Sequence, residues 1–239
     1  MPEPGVRGLG VAGRSQEDRS PQDRSREDRS QEDQSQDNHS QENQSQEVGF
    51  TLAQNEGVYF LTLVSEDGMN RLTRRKVAAL GEEIGKLAAG GGLPLIVWGK
   101  RNFSAGADLQ EIRALGGAEA LEFARTGQSL MDAIASYPAV AIAVIEGHCM
   151  GGGLDLALAC DRRIAAPHAV FGHRGAALGL MTGWGGTQRL PRLIGKGRAL
   201  ELLVAAEKVS ARRALEIGLV DAIAEDPVSE AVGLLRRRE

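Results

Sequence analysis

Apolar and polar positions change their period along this chain, and the changes mark out short strands alternating with longer helices. Tyr59-Phe-Leu-Thr-Leu-Val64 is rich in aromatic and aliphatic residues and stops at the turn signal Glu66-Asp-Gly68, which predicts a strand. After Thr73, Val77, Leu80, Ile84 and Leu87 recur at helical spacing and predict an amphipathic helix to about Ala89. Gly90 to Gly92 interrupt the pattern. A strand from Leu93 to Trp98 follows, then a glycine-bearing loop at Ser104 to Ala107, then a helix from Leu109 that resumes across Glu119 to Ile134.

The order then repeats. A strand is predicted from Val140 to Glu146, a glycine run at 151–153, a helix over Leu154 to Cys160 and a strand over Arg162 to Ala166. Farther on, Leu190 to Ile194 and Arg198 to Ala206 read as helical, and Ser210 suits the N-cap of a helix from Ala211 to Ile217 that Gly218 ends. This alternation predicts an α/β fold with repeated β-β-α units. Unbroken apolar runs such as Ala141-Ile-Ala-Val-Ile145 suit strands covered on both faces.

The N-terminal segment breaks the pattern. From Arg14 to Glu47 it repeats roughly every five residues (RSQED, RSPQD, RSRED, and onward to QSQE) and has almost nothing apolar to bury. Such a segment cannot offset the entropy lost on ordering, about 1–2 kcal/mol per residue, so residues 1–47 are expected to form a disordered tail and residues 48–239 one folded domain. The charge follows the same division. Residues 1–47 hold 11 acidic and 6 basic side chains, whereas residues 48–239 hold 21 and 22, so the folded part gives no electrostatic case for a nucleic-acid partner.

At 42% hydrophobic residues the chain has apolar material for a core, yet its longest apolar run, Ala139 to Ile145, is far short of the about 20 residues that span a bilayer. No membrane partner is expected. Neither a secretory leader nor a transit peptide is legible at the N-terminus, and Cys149 and Cys160 read as reduced thiols, so the expected location is cytoplasmic. His148 and Cys149 lack further ligands in register, so no metal site is expected.

The candidate chemistry lies in two glycine-bearing stretches, Asn102-Phe-Ser-Ala-Gly-Ala-Asp108 and His148-Cys-Met-Gly-Gly-Gly-Leu-Asp155. Glycines let the main chain approach a ligand, and the second stretch opens into a helix, whose N-terminus presents free N–H groups to negative charge. Together the two can supply a pair of amide donors to one thioester oxygen.

Phe103-Ser-Ala-Gly-Ala-Asp-Leu109, Gly147 to Asp155, Phe171-Gly172 with Gly183-Trp-Gly-Gly-Thr-Gln-Arg-Leu190, and Ser210 to Ala214 with Gly218-Leu-Val220 together resemble the crotonase, or enoyl-CoA hydratase/isomerase, superfamily. The resemblance runs from about Val48 to Val220. It implies a spiral of β-β-α units, commonly trimeric or a dimer of trimers, that binds an acyl-CoA thioester and stabilises its enolate, with coenzyme A as part of the substrate and no separate cofactor. Carried over by position, the oxyanion donors are the N–H groups of Ala107 and Gly152, and Asp155 moves a proton. Ala105, Asp108 and Leu109, with Met69, Asn70 and Arg71 on an earlier loop, match the CoA end of the site. Gly183 and Trp184 match the acyl pocket.

Two departures qualify what the resemblance implies. Hydratases of the superfamily carry two glutamates, whereas here the first position holds Asp155 and the second Gly175. The adjacent His173 and Arg174 are the nearest substitutes, as an acid or base and as a clamp for a substrate carboxylate. Members also continue for several helices more than follow Arg236 here, so a short final helix is expected, with either a truncated gene or another subunit or chain that covers the site. The expected function is enoyl-CoA hydratase/isomerase chemistry. A carboxyacyl-CoA decarboxylase and a weakly catalytic acyl-CoA-binding or subunit-interaction protein remain open as alternatives.

Overall fold

The computed structural model describes residues 48–237. The repeat tail expected at residues 1–47 lies outside them. Strands β1 (Phe50–Asn55) and β2 (Val58–Leu63) form a hairpin closed by Glu56 and Gly57, both at positive φ (48° and 75°), as a two-residue turn of the primed type requires. The polar, weakly alternating β1 was not legible in the sequence. Helix α1 (Arg74–Ala89) follows, with the Thr73 hydroxyl accepting from Lys76 N–H as its N-cap.

Strand β3 (Leu95–Gly99) then leads to helices α2 (Leu109–Ala114) and α3 (Gly117–Ala135). Strands β4 (Ala141–Ile145) and β5 (His148–Met150) precede helix α4 (Gly152–Ala159), and β6 (Arg162–Ala165) and β7 (Val170–Gly172) come next. A single 3-10 turn at Ala176–Leu178 separates β7 from α5 (Gly186–Ile194). The last elements are α6 (Lys196–Ala205), β8 (Val209–Ser210), α7 (Ala211–Glu216), β9 (Ala222–Ile223) and α8 (Pro227–Arg236).

Six strands join in one sheet in the order β1-β2-β3-β4-β6-β9, parallel except for β1, and β5, β7 and β8 form a second, smaller sheet. One face of the larger sheet packs Leu61, Leu63, Leu95, Val97 and Ala143 into a core with Val77, Leu80 and Ile84 of α1 and Leu154 of α4. Its other face packs Ile96, Ile142, Val144 and Ile164 against Ala231 and neighbouring residues of α8. The central strands are therefore covered on both sides, which is why they read as continuous apolar runs. Each fully buried Leu or Ile contributes about 1.5–3 kcal/mol relative to exposure, so this sheet is a stable platform. The loops after β3, β4 and β7 leave the C-terminal ends of their strands, the edge where ligands of α/β sheets bind.

Candidate functional site

Two isolated bridges tie the glycine loops to the chain around them. Leu72 pairs with Ala107, and Ser104 pairs with Cys149, in both cases parallel. In the first, Leu72 N–H donates to Gly106 O at 2.9 Å and Asp108 N–H donates to Leu72 O at 3.2 Å. That pairing uses the groups on either side of Ala107 and turns its own N–H away, and among the described residues this N–H has no protein acceptor. Gly152 is the first residue of α4, so its N–H has no acceptor within the helix.

The two free amides are neighbours. A Cβ built on Gly152 would lie 3.4 Å from Ala107 N, and one on Gly106 would lie 3.1 Å from Gly152 N and 2.7 Å from Met150 O. Gly106 also has φ +91°, so both conformation and space demand glycine there. Ser104, fully buried, fixes this loop by donating its hydroxyl to Asn70 O at 2.8 Å and accepting from Gly106 N–H at 3.1 Å.

Both amides open on a cleft of about 450 Å³ that Asp155, His173, Arg174, Gly175, Gly183 and Trp184 also line. The structure thus gathers all four expected catalytic positions, Ala107, Gly152, Asp155 and His173, at one place. Asp155 is 2% exposed, and its Oδ2 accepts from the Thr182 hydroxyl at 2.6 Å. Its Oδ1 and the Nε2 of buried His173 lie 3.7 Å apart, and neither atom has a hydrogen-bond partner. Two adjacent buried polar atoms left without partners are unusual in a folded protein and call for an explanation. Gly186, the first residue of α5, lies directly against Oδ1, and helix N-termini favour negative charge.

Trp184 is buried between two glycines. A Cβ on Gly127 of α3 would come within 2.0 Å of its indole and one on Gly152 within 2.3 Å, and Phe123 meets it edge-on at a centroid distance of 5.2 Å. The indole therefore braces α4 beneath the amide of Gly152, and its edge closes part of the cleft.

Gly175 is more than a missing carboxylate. A Cβ there would lie 2.8 Å from Leu180 O, because Leu180 N–H folds back onto Gly175 O at 2.8 Å. The backbone of the 175–180 turn would have to move before any side chain could fit. Arg174 is exposed on the cleft wall, together with Lys208, which the sequence did not single out.

A second cleft adjoins the first, sharing Ala105, Ala107 and Leu109, and is lined further by Met69, Arg71 and Asp108. Arg71, matched to the CoA end of the site, pairs with Asp67. Hydrogen bonds from Met69 N–H, Arg71 and Ser65 hold the Asp67 carboxyl down to about 2. The Asp108 carboxylate caps α2, accepting from Gln110 N–H at 2.8 Å and Glu111 N–H at 3.2 Å.

Asn70 requires correction as a cleft residue. It is 2% exposed, its Nδ2 donates to Asn102 O at 2.6 Å, its N–H donates to Ser65 Oγ at 2.9 Å, and its O is taken by Ser104. Asn70 lines neither cleft and holds the 65–70 loop against the 102–104 loop instead. Thr182, Ser104 and Gly127 are the residues that sequence reasoning missed. The only signals available were the hydroxyl inside Phe103-Ser-Ala-Gly106 and a glycine in the middle of an otherwise good helix.

Solved structures of the crotonase superfamily share this architecture. The enoyl-CoA hydratase of Bacillus anthracis matches with a TM-score of 0.75 at 31% identity, over 79% of this chain and 76% of that one. The enoyl-CoA hydratase/isomerase family profile matches residues 54–237, and the chain belongs to that family. Among curated relatives, a Bacillus subtilis protein described as "Probable enoyl-CoA hydratase" is 41% identical over 179 residues, which is 74% of this chain and 69% of that protein. The crotonyl-CoA hydratase of Syntrophomonas wolfei is 43% identical over 127 residues, 53% of this chain and 49% of its own length.

Proposed function

We propose that the chain is an enoyl-CoA hydratase/isomerase that forms a thioester enolate and moves a proton along the acyl chain. The reading rests on one observation above the rest: the unpaired N–H groups of Ala107 and Gly152 are neighbours and open on the same cleft as Asp155 and His173. In this reading both amides donate to the thioester oxygen as negative charge grows on it, each worth about 2.7–4 kcal/mol of transition-state stabilisation. Asp155, with His173 beside it, takes the proton from C2 of a 3-enoyl-CoA. Electron density passes into the carbonyl, and the double bond moves as the proton returns at C4. Atoms and charge balance without a cofactor. CoA lies along the second cleft, past Met69, Ala105, Asp108 and Leu109, with Arg71 shared between Asp67 and a phosphate.

Hydration of a 2-enoyl-CoA is the second reading, favoured by the names of the relatives. It needs a second group to orient and ionise water, and with position 175 closed to a side chain that task falls to His173, the group beside Asp155. Mass spectrometry of the purified protein with 3-enoyl-, 2-enoyl- and carboxyacyl-CoA substrates separates the readings. Isomerisation gives a chromatographic shift at constant mass, hydration adds one water, and decarboxylation removes carbon dioxide. No change with any of them would sink the enzymatic reading and leave an acyl-CoA-binding protein.

A further inference from the structure

Thr182 lies outside every motif the sequence offered, yet it makes the one side-chain hydrogen bond to Asp155, from its Oγ1 to Oδ2 at 2.6 Å among the described residues. The two oxygens of a free carboxylate are equivalent, and a hydroxyl bound to one of them ends that equivalence. Oδ2 is occupied. Oδ1 is left buried, without a partner, 3.7 Å from the equally unpartnered His173 Nε2.

The surroundings keep this arrangement from relaxing. Gly186 lies against both partners, since a Cβ there would come within 2.2 Å of Asp155 Oδ1 and 3.0 Å of both Thr182 Cγ2 and Oγ1. The segment that carries Thr182 is anchored from α3, where Gln128 Nε2 donates to Gly183 O at 2.7 Å. A hydroxyl bonded to a carboxylate oxygen on such a frame holds the acceptor's rotamer.

We propose that Thr182 is a positioning residue, whose hydroxyl fixes the Asp155 carboxylate so that Oδ1 alone is turned to His173. This rests on the assignment of proton transfer to Asp155 above. An aspartate stands one methylene short of a glutamate at this position, and a tether on Oδ2 sets where its shorter arm ends. Proton transfer is steep in distance and alignment, so a carboxylate free to rotate would spend much of its time misdirected.

The test is steady-state kinetics on whichever enoyl-CoA the mass assay shows to be turned over. Thr182→Val keeps the shape and removes the donor, and Thr182→Ser keeps the donor. The expected result is a fall in kcat of about tenfold to a hundredfold for Thr182→Val with KM little changed, the scale of one charge-assisted hydrogen bond. Thr182→Ser should recover most of kcat, and Thr182→Val should add no further loss in an Asp155→Asn background, as expected for groups acting as one unit. Should Thr182→Val fail to fold, Thr182→Ala removes the donor without strain and carries the same expectation. A wild-type kcat in the donor-less variant, a loss confined to KM, or a serine variant as impaired as the valine one would overturn the proposal. If Asp155→Asn itself turns over normally, the parent assignment falls instead. If only the Thr182 series is silent, the parent assignment stands and the positioning role is lost.

Discussion

The two sides of the cleft are built on opposite plans. On one side the polar groups are main-chain amides of Ala107 and Gly152, held by strand bridges and a helix start, with neighbouring backbone groups satisfied. On the other side they are side chains, Asp155, His173 and Thr182, brought together from α4, the end of β7 and the loop before α5, with two buried atoms left unpaired. A main-chain donor costs no side-chain entropy and keeps its aim under most substitutions, so it suits the fixed task of receiving charge. A side chain is needed wherever a proton must come and go. Under the proposed function the first side is accordingly the robust one, and substitutions on the second are those expected to alter the chemistry.

The sharpest break in this comparison is Asp155→Asn. Loss of the proton-moving group is expected to lower turnover by about 10²- to 10⁴-fold while CoA-ester affinity, measured by calorimetry, stays close to that of the parent. Normal turnover would take Asp155 out of the chemistry. Gly106→Ala probes the opposite side. The added Cβ meets Met150 O at 2.7 Å on a backbone at φ +91°, so the loop must shift and the amide of Ala107 with it. The expected loss is about 10²- to 10³-fold in kcat, the effect of one oxyanion donor, with a lowered Tm. A variant with parental kcat would show that the loop does not aim the donor.

A smaller effect is expected where a carboxylate is returned to the proton-moving side. Gly175→Glu places a glutamate where the family resemblance implies a second carboxylate, but its Cβ meets Leu180 O, so no gain in hydration rate is expected beyond the parent. A clear gain would show that the 175–180 turn yields easily and that only the missing side chain separates this site from a hydratase's. Smallest of all is an effect on stability alone, away from both sides. Burial pushes the Lys76 ammonium down to about 8 from an ordinary value of 10.5. At this one group the unfolded chain binds more protons than the folded one between those values, so Lys76 contributes a rise in stability from about pH 8 to 10.5, opposed above pH 9 by Cys149 and Cys160, whose thiols burial pushes up. Calorimetric Tm values of Lys76→Met should lose that rise, and an unchanged pH slope would assign it elsewhere.

The contrast also explains what could be read in advance. The α/β alternation was legible because burial on both faces writes continuous apolar runs into β3 and β4, and α1 displays Val77, Leu80, Ile84 and Leu87 on one face. The amide pair was legible because the main chain can approach a ligand so closely only at glycines, which leave their mark at 106 and 151–153. The proton side was half visible. Asp155 and His173 stood at matched positions, whereas Thr182 acts through a contact 27 residues away in sequence that follows no local period. Asn70 stood at a position matched to the CoA end of the site, and only the structure shows that its backbone N–H and O are taken by Ser65 and Ser104 and its side chain by Asn102. Strand β1 was missed because a sheet edge closed by a tight hairpin needs little hydrophobic patterning of its own.

The most direct test is isotope-edited infrared spectroscopy of a thioester substrate analogue labelled at its carbonyl carbon and bound to the protein. Two amides aimed at the oxygen should shift the carbonyl stretch to lower frequency on binding. That shift should persist in Asp155→Asn and shrink in Gly106→Ala. A bound thioester whose carbonyl frequency matches the one in water, or a shift unmoved by Gly106→Ala, would contradict the assignment of Ala107 and Gly152 as the groups that receive the charge.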